Sequence, residues 1–399
     1  MRFLKLIPTI LVKYVMRAFY WLFCLLWKVN EKKVTFASYR ADKLKDNLAF
    51  VHDAVVERYP HLKRQYLFKK FDSTIAGKIS YIFHMIPACY HLATSRYFII
   101  DDYYFPVYVI KPRKEVEIIQ LWHSAGALKK FGLSTVGKPF GPSPDYLKHV
   151  PIHGNYTKAY VSSSEVVPFF AEAFNMPEER IYPLGVPRTD YFYEGKVAEE
   201  IRERFLETYP GAVGKKILLY APTFRGKSHY QDYFKLPFDA GKMAAELQDE
   251  YTLIVHLHPY MQGNVNLGTF GYQVKNAFTI EELLTITDLL ITDYSTVFFD
   301  YSLLNRPMIF YPYDLDDYKR QRDFYYAYEE IIPGPIAMDT NALIAIIRNA
   351  EASIDEVSHF RNRFFDYQDG KATERIVQHI FEDKEFRIEE LQSSNREIG

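Results

Sequence analysis

Short apolar runs, each closing on a polar corner, recur along the chain and alternate with longer stretches of helical spacing. Residues 33–38, 65–68, 95–100, 116–122 and 157–164 predict strands in the first half, and 215–226, 251–259, 288–292 and 308–311 in the second. Residues 44–59, ended by Pro60, and then 165–174, 238–250, 278–284 and 297–304 predict helices. This alternation predicts an α/β fold of βαβ units around parallel sheets. At 399 residues the chain exceeds one ordinary core, and the Pro- and Gly-punctuated stretch 181–190 marks a crossover between domains. The expected division is an amino-terminal segment 1–33, domains 34–195 and 196–375, and a helix with a charged tail over 376–399.

In such sheets ligands bind off the carboxyl edge, where strand-end side chains meet the free N–H groups of the next helix. Ile291-Thr-Asp-Tyr-Ser-Thr296 has this form: a buried strand, a corner of Asp293, Ser295 and Thr296, then a helix. The same residues would also make an ordinary N-cap. Two further strands of the second domain end in Thr223 with Arg225 and in His258. Arginine matches two phosphate oxygens at once. Three strand ends suited to phosphate predict a diphosphate-bearing donor lying across them. His256 and His258 alternate onto one face, but no third ligand accompanies them, so no metal is expected.

In the first domain, strand 116–122 opens into His123-Ser-Ala-Gly-Ala-Leu-Lys129. His123 is placed to take or give a proton, although a histidine after a strand can equally be structural. Ser124, Gly126 and their small neighbours would let a ligand approach the backbone, with Lys129 and Lys130 beyond.

The first 33 residues differ from the rest. Arg2, Lys5, Lys13, Arg17, Lys28, Lys32 and Lys33 face the single acid Glu31, among bulky apolar side chains that include Trp21 and Trp27. The longest uncharged run here, 18–27, is short of the roughly 20 residues of a spanning helix. The segment therefore predicts an amphipathic helix, either lying on an anionic leaflet or packed on the body of the protein.

Composition narrows the classes. The net charge of −1 argues against a general nucleic-acid binder. Aromatic residues reach 17 %, a surplus that serves the core or meets sugar and membrane interfaces. Cys24 and Cys89 form no metal spacing and no disulfide framework, which points to a reducing compartment.

Four motifs in this order resemble the CDP-glycerol glycerophosphotransferase family of teichoic acid synthesis, over roughly residues 34 to 375. They are Leu121-Trp-His-Ser-Ala-Gly-Ala-Leu-Lys-Lys-Phe-Gly132, Tyr220-Ala-Pro-Thr-Phe-Arg225, His258-Pro259, and Thr292-Asp-Tyr-Ser-Thr296 with Asn305-Arg-Pro307. The resemblance implies a GT-B-like fold, two Rossmann-like domains facing across a cleft, with the CDP-alcohol held by the carboxy-terminal one. It implies His123 and His258 as catalytic residues, and Thr223, Arg225, Asp293, Ser295 and Thr296 at the donor. No cofactor and no metal are implied. The implied partners are CDP-glycerol, an undecaprenyl-diphosphate-linked ManNAc-GlcNAc acceptor, the anionic inner leaflet and other teichoic acid enzymes, with no nucleic acid. The implied location is the cytoplasmic face of the membrane, peripherally bound. Polymerases of the family usually read His-Gly-Thr-Pro-Leu-Lys in the first motif. His123-Ser-Ala-Gly-Ala-Leu-Lys129 looks more like the glycerol-phosphate primase branch, which adds one unit. The rivals are a glycerol- or ribitol-phosphate polymerase, a sugar-nucleotide glycosyltransferase of the same fold, and a scaffold that has lost catalysis.

Overall fold

The computed structural model describes residues 6–224, 234–258, 261, 263–349 and 354–382. The described residues divide into two compact units, one made of residues up to 124, 131–190 and 371–382, the other of 125–130 and 191–370.

The first unit is built on β1 (Asn30–Ser38), β2 (Lys63–Phe68), β3 (Ser95–Ile100), β4 (Glu117–Gln120), β5 (Lys158–Tyr160) and β6 (Ile181–Tyr182). They run parallel in the order β2-β1-β3-β4-β5-β6. The order reverses between β1 and β3, which makes the carboxyl ends of those two strands the crevice where such sheets bind ligands. β6 falls in the expected crossover; two residues are too few to show a period. Helix Asp46–Arg58 buries Leu48, Val51 and Val55, spaced three and four apart, against Phe36 and Ile99 of the sheet.

Helix Ala372–Phe381 brings Ile376, Val377 and Ile380 into that same core. Its first turn is capped by Asp190, whose carboxylate oxygens accept the N–H groups of Ala372 and Thr373 at 2.8 Å. The chain therefore returns to the first unit after residue 370, where the expected division kept 371–375 in the second domain and set 376–399 apart. The charged tail past 382 lies outside the described residues.

The amino-terminal helix, Ile7–Leu26, packs on helices Ile75–Thr94 and Phe105–Val109. Helix Ile75–Thr94 matches no predicted element, because Gly77 and the internal Pro87 interrupt its pattern. Met16 and Tyr20 are buried, while Leu11, Trp21 and Leu25 are each about two-thirds exposed. One face of this segment thus packs on the body of the unit, and another exposes apolar side chains. Its basic residues are tied to the body: buried Lys13 donates to the carbonyl of His149 at 2.7 Å, and exposed Arg17 donates to that of Val109 at 2.5 Å. With only these two charges in 20 residues and a mean hydropathy of 1.5, the helix is long and apolar enough to cross a membrane by length and composition. The uncharged run had argued otherwise.

The second unit has β7 (Lys216–Tyr220), β8 (Tyr251–Val255), β9 (Gly271–Gln273), β10 (Leu289–Thr292) and β11 (Met308–Phe310), parallel in the order β11-β10-β7-β8-β9. Its switch point lies between β7 and β10. All five residues of β8 are buried, the continuous apolar run expected of a strand covered on both faces.

Candidate active site

At the switch point of the first unit stands Asp102, two residues beyond β3 and 5 % exposed. Its Oδ1 accepts the Tyr103 N–H at 2.6 Å. Its Oδ2 lies 3.2 Å from Nε of Arg40, which follows β1, and 3.1 Å from Nδ1 of His123, which follows β4. Three strand ends thus meet on one carboxylate. The contact with His123 is within ion-pair range and falls short of hydrogen-bond geometry. Burial alone would raise the pKa of Asp102, but His123, then Arg40 and the Tyr103 N–H, hold it below the usual carboxylate value. An ionised Asp102 fixes the proton of His123 on Nδ1 and leaves Nε2 as the basic nitrogen.

The corner that delivers His123 is held by buried amides. Gln120 accepts the Trp122 N–H at 2.8 Å and donates to the carbonyl of Asp102 at 3.0 Å. Asn47 donates to the carbonyl of Trp122 at 2.8 Å and accepts the Arg188 N–H at 2.9 Å. These ties hold Trp122 at φ +53°, a left-handed conformation that is costly for a bulky residue and typical of functional sites. Beneath it His153 is 1 % exposed and donates or accepts at Tyr156 Oη, 3.1 Å away. Burial pushes its pKa down to about 3, so this ring is a neutral packing element.

Asp102, Arg40, Gln120 and Asn47 were not among the predicted site residues. The acidic pair 101–102 at a strand end was visible in the sequence; its partners come from 62 and 21 positions away and had no local signal. Replacing Asp102 by Asn should lower kcat by about 100-fold while leaving donor affinity unchanged, because only the orientation and charge balance of His123 are lost. Steady-state kinetics with a donor-binding titration checks this, and an unchanged kcat would remove Asp102 from the mechanism.

Asp101, 3 % exposed, is pushed up to about 7, first by burial and then by Asp102. Its folded pKa exceeds the unfolded value of 3.8, so between about pH 4 and 7 the folded chain binds more protons than the unfolded one. Stability from this group is therefore lost as pH rises through that window. Asp101→Asn should flatten that slope in thermal melts; an unchanged slope would show that Asp101 stays ionised.

The loop after His123 differs from expectation. Ser124 remains in the first unit, half-buried, whereas Gly126 and Lys129 lie in the second. There the segment runs antiparallel to residues 323–325. Lys129 bridges Phe324, Lys130 donates its N–H to the carbonyl of Asp323 at 2.9 Å, and Tyr325 donates its N–H to that of Leu128 at 3.0 Å. Gly126 is small because of Phe299: a β-carbon there would sit 2.0 Å from the ring. Its smallness serves packing within the second unit, where the sequence suggested room for a ligand.

In the second unit the carboxyl ends of β10, β7 and β8 are neighbours, so Asp293, Thr223 and His258 come to one edge. Asp293 has no exposed surface. Its Oδ1 accepts the N–H of Thr223 at 2.7 Å and that of Tyr294 at 2.6 Å, and its carbonyl accepts the Tyr328 hydroxyl at 2.9 Å. This residue ties the two loops of the switch point together. Ser295 and Thr296 are half-buried, and their hydroxyls make no hydrogen bond among the described residues. The helix they precede, Val297–Ser302, is six residues long and Thr296 makes no side-chain cap. His258 is exposed and, with His256, Asn264, Gln273 and Lys275, lines a cavity of about 420 Å³. His256 is oriented by the Val274 carbonyl, 3.1 Å from its Nδ1, and burial lowers its pKa. Among the described residues no group of three His, Cys, Asp or Glu side chains could hold a metal ion. Arg225 lies outside the described residues.

Two Rossmann-type sheets, one carrying a carboxylate-oriented histidine and the other a polar edge beside a cavity, match known proteins across nearly the whole chain. The sequence profile of the CDP-Glycerol:Poly(glycerophosphate) glycerophosphotransferase family covers residues 18–382. The chain belongs to this family. It is 45 % identical over 381 residues to the teichoic acid ribitol-phosphate primase of Bacillus spizizenii, covering 94 % of this chain and 98 % of that one. To the teichoic acid glycerol-phosphate primase of Bacillus subtilis it is 33 % identical, covering 75 % and 76 %. The wall teichoic acid polymerase TagF has the same GT-B-like fold, with a TM-score of 0.75, 25 % identity and 97 % of each chain covered. The expected fold class and family are thereby established. The glycerol-phosphate branch suggested by the first motif is not, because the ribitol-phosphate primase shares more of this glycerophosphotransferase homologue's residues over more of its length.

Proposed function

We propose that this member of the glycerophosphotransferase family is a ribitol-phosphate primase, which transfers ribitol phosphate from CDP-ribitol to a lipid-linked disaccharide and releases CMP. The observation that carries the reading is the 45 % identity to a ribitol-phosphate primase along the full length of both chains. Nε2 of His123, oriented through Asp102, takes the proton of the acceptor hydroxyl. The acceptor oxygen bonds to the β-phosphorus as the bond from that phosphorus to the bridging oxygen breaks, and CMP leaves. In the second unit Thr223, His258, Ser295 and Thr296 offer donors to the diphosphate, held in place by Asp293. The acceptor in this reading is an undecaprenyl-diphosphate-linked ManNAc-GlcNAc. The exposed faces of Ile7–Leu26 and of helix Ile75–Thr94, whose Ile75, Ile79 and Phe83 are open to solvent, lie on the cytoplasmic leaflet that carries it.

The test offers the purified protein CDP-ribitol and CDP-glycerol in parallel, with a short-tailed acceptor both bare and already primed. Mass spectrometry should find one added ribitol phosphate and no glycerol phosphate. A ladder of ribitol units would make the protein a polymerase, a reading favoured by 39 % identity to a poly(ribitol-phosphate) polymerase over 88 % of this chain. Turnover of CDP-glycerol alone would restore the glycerol branch, and no turnover of either would overturn the reading.

A further inference from the structure

Over the carboxyl ends of β1, β2 and β3 of the first unit lies a second cavity, of about 190 Å³, walled almost wholly by aromatic rings. Tyr39, Phe71, Tyr103, Phe105 and Tyr146 are half-buried around it and Tyr81 is buried. It adjoins the base: Tyr103 packs on Trp122 with ring centres 5.6 Å apart, and Trp122 on His123 at 4.5 Å. Tyr39 and Tyr103 are the immediate neighbours of Arg40 and Asp102, so the aromatic wall is edged by the ion pair of the active site.

We infer that this cavity is the acceptor subsite and holds a pyranose ring of the carbohydrate on which His123 acts. At about 190 Å³ the cavity is small for a nucleotide, since ligand pockets generally run from about 300 Å³ upward. Polarity separates the remaining candidates. A hydrocarbon chain seated here would strip water from the Arg40–Asp102 pair without replacing its hydrogen bonds, which is costly for charges. A sugar lays its apolar C–H face on the rings and turns its hydroxyls toward the charged edge. The aromatic faces are rigid, with two torsions each, so little entropy is lost on binding. Of the five tyrosines around it, Tyr108 has its hydroxyl already committed, lying 2.6 Å from Tyr156 Oη and accepting the Tyr104 N–H at 3.2 Å. Orientation of the sugar then comes from the charged edge together with the other tyrosine hydroxyls. This assigns acceptor recognition to the mouth of β1 and β3, away from Gly126 and Lys129.

The inference rests on the reading of His123 as the base toward a carbohydrate acceptor, and its test is kept separate from turnover. Binding of a water-soluble N-acetylhexosamine disaccharide, as its methyl glycoside, is titrated by calorimetry or saturation-transfer NMR on the full chain. Phe71→Ala and Tyr146→Leu, the second keeping bulk but not the aromatic face, should each weaken it at least tenfold. Affinity for the CDP-alcohol should stay within twofold, and thermal melts identify a variant that has not folded. The inference is overturned if the folded variants bind the disaccharide like the wild type, or if the wild type binds only glycosides with long alkyl tails. It is overturned equally if donor affinity falls in parallel. Disaccharide binding lost in the variants, in a protein that turns over no CDP-alcohol, would sink the proposed function and leave the subsite standing. Turnover that survives with unchanged disaccharide binding in the variants would do the reverse.

Discussion

His123→Ala should lower turnover by about 1,000-fold while the dissociation constant of the CDP-alcohol changes by less than about threefold, since a positioned base contributes roughly 10²–10⁴ to rate and nothing to donor binding. The structure supplies the reason for the separation. His123 stands at the end of β4 in the first unit with its Nδ1 directed to Asp102, and the residues proposed for the diphosphate are all at strand ends of the second. Removing the imidazole leaves Asp102 its ion pair with Arg40 and its bond from the Tyr103 N–H, so the carboxylate is not stranded and the unit should fold. Product formation by mass spectrometry, paired with calorimetric titration of the donor, distinguishes the outcomes. Intact turnover, or donor binding that disappears with the imidazole, would assign His123 a different role.

Asp293→Ala should have the larger effect on stability. The carboxylate is fully buried and accepts two backbone N–H groups, those of Thr223 and Tyr294. Alanine would leave both donors without that acceptor, at a cost of roughly 2–5 kcal/mol for hydrogen bonds to a charged group. For a unit of this size the loss corresponds to a fall in Tm on the order of 10 °C. Asp293→Asn retains an Oδ1 that can accept both N–H groups and should lose less than half as much. Because Thr223 and the corner 294–296 are held by this residue, donor affinity should fall with the alanine variant even below its Tm. Calorimetric melts of the three proteins decide the matter: an alanine variant that melts with the wild type would mean the two N–H groups are satisfied elsewhere.

The alternation of strands and helices, the two parallel sheets and the residue types at their edges were determined by sequence alone. Buried strands such as 95–100 and 251–255 announce themselves as apolar runs, and helix 46–58 by its 3.6-residue period, because burial on one or two faces imposes those periods on any chain. His123, Thr223, His258 and the corner 293–296 were legible for the same reason: each immediately follows a readable strand. Elements too short or too interrupted to show a period, such as β6, β9 and helix Ile75–Thr94, were not. What only the tertiary structure decided are relations across long stretches of chain. Arg40, Asp102 and His123 meet because strand order, which no local pattern encodes, places β1, β3 and β4 side by side. Lys13 is buried by a carbonyl 136 residues away, Gly126 is small for a ring 173 residues on, and helix Ala372–Phe381 returns to the first core. Such partners are chosen by packing and hydrogen-bond satisfaction in three dimensions, and a residue's type gives its chemistry without naming whom it will touch.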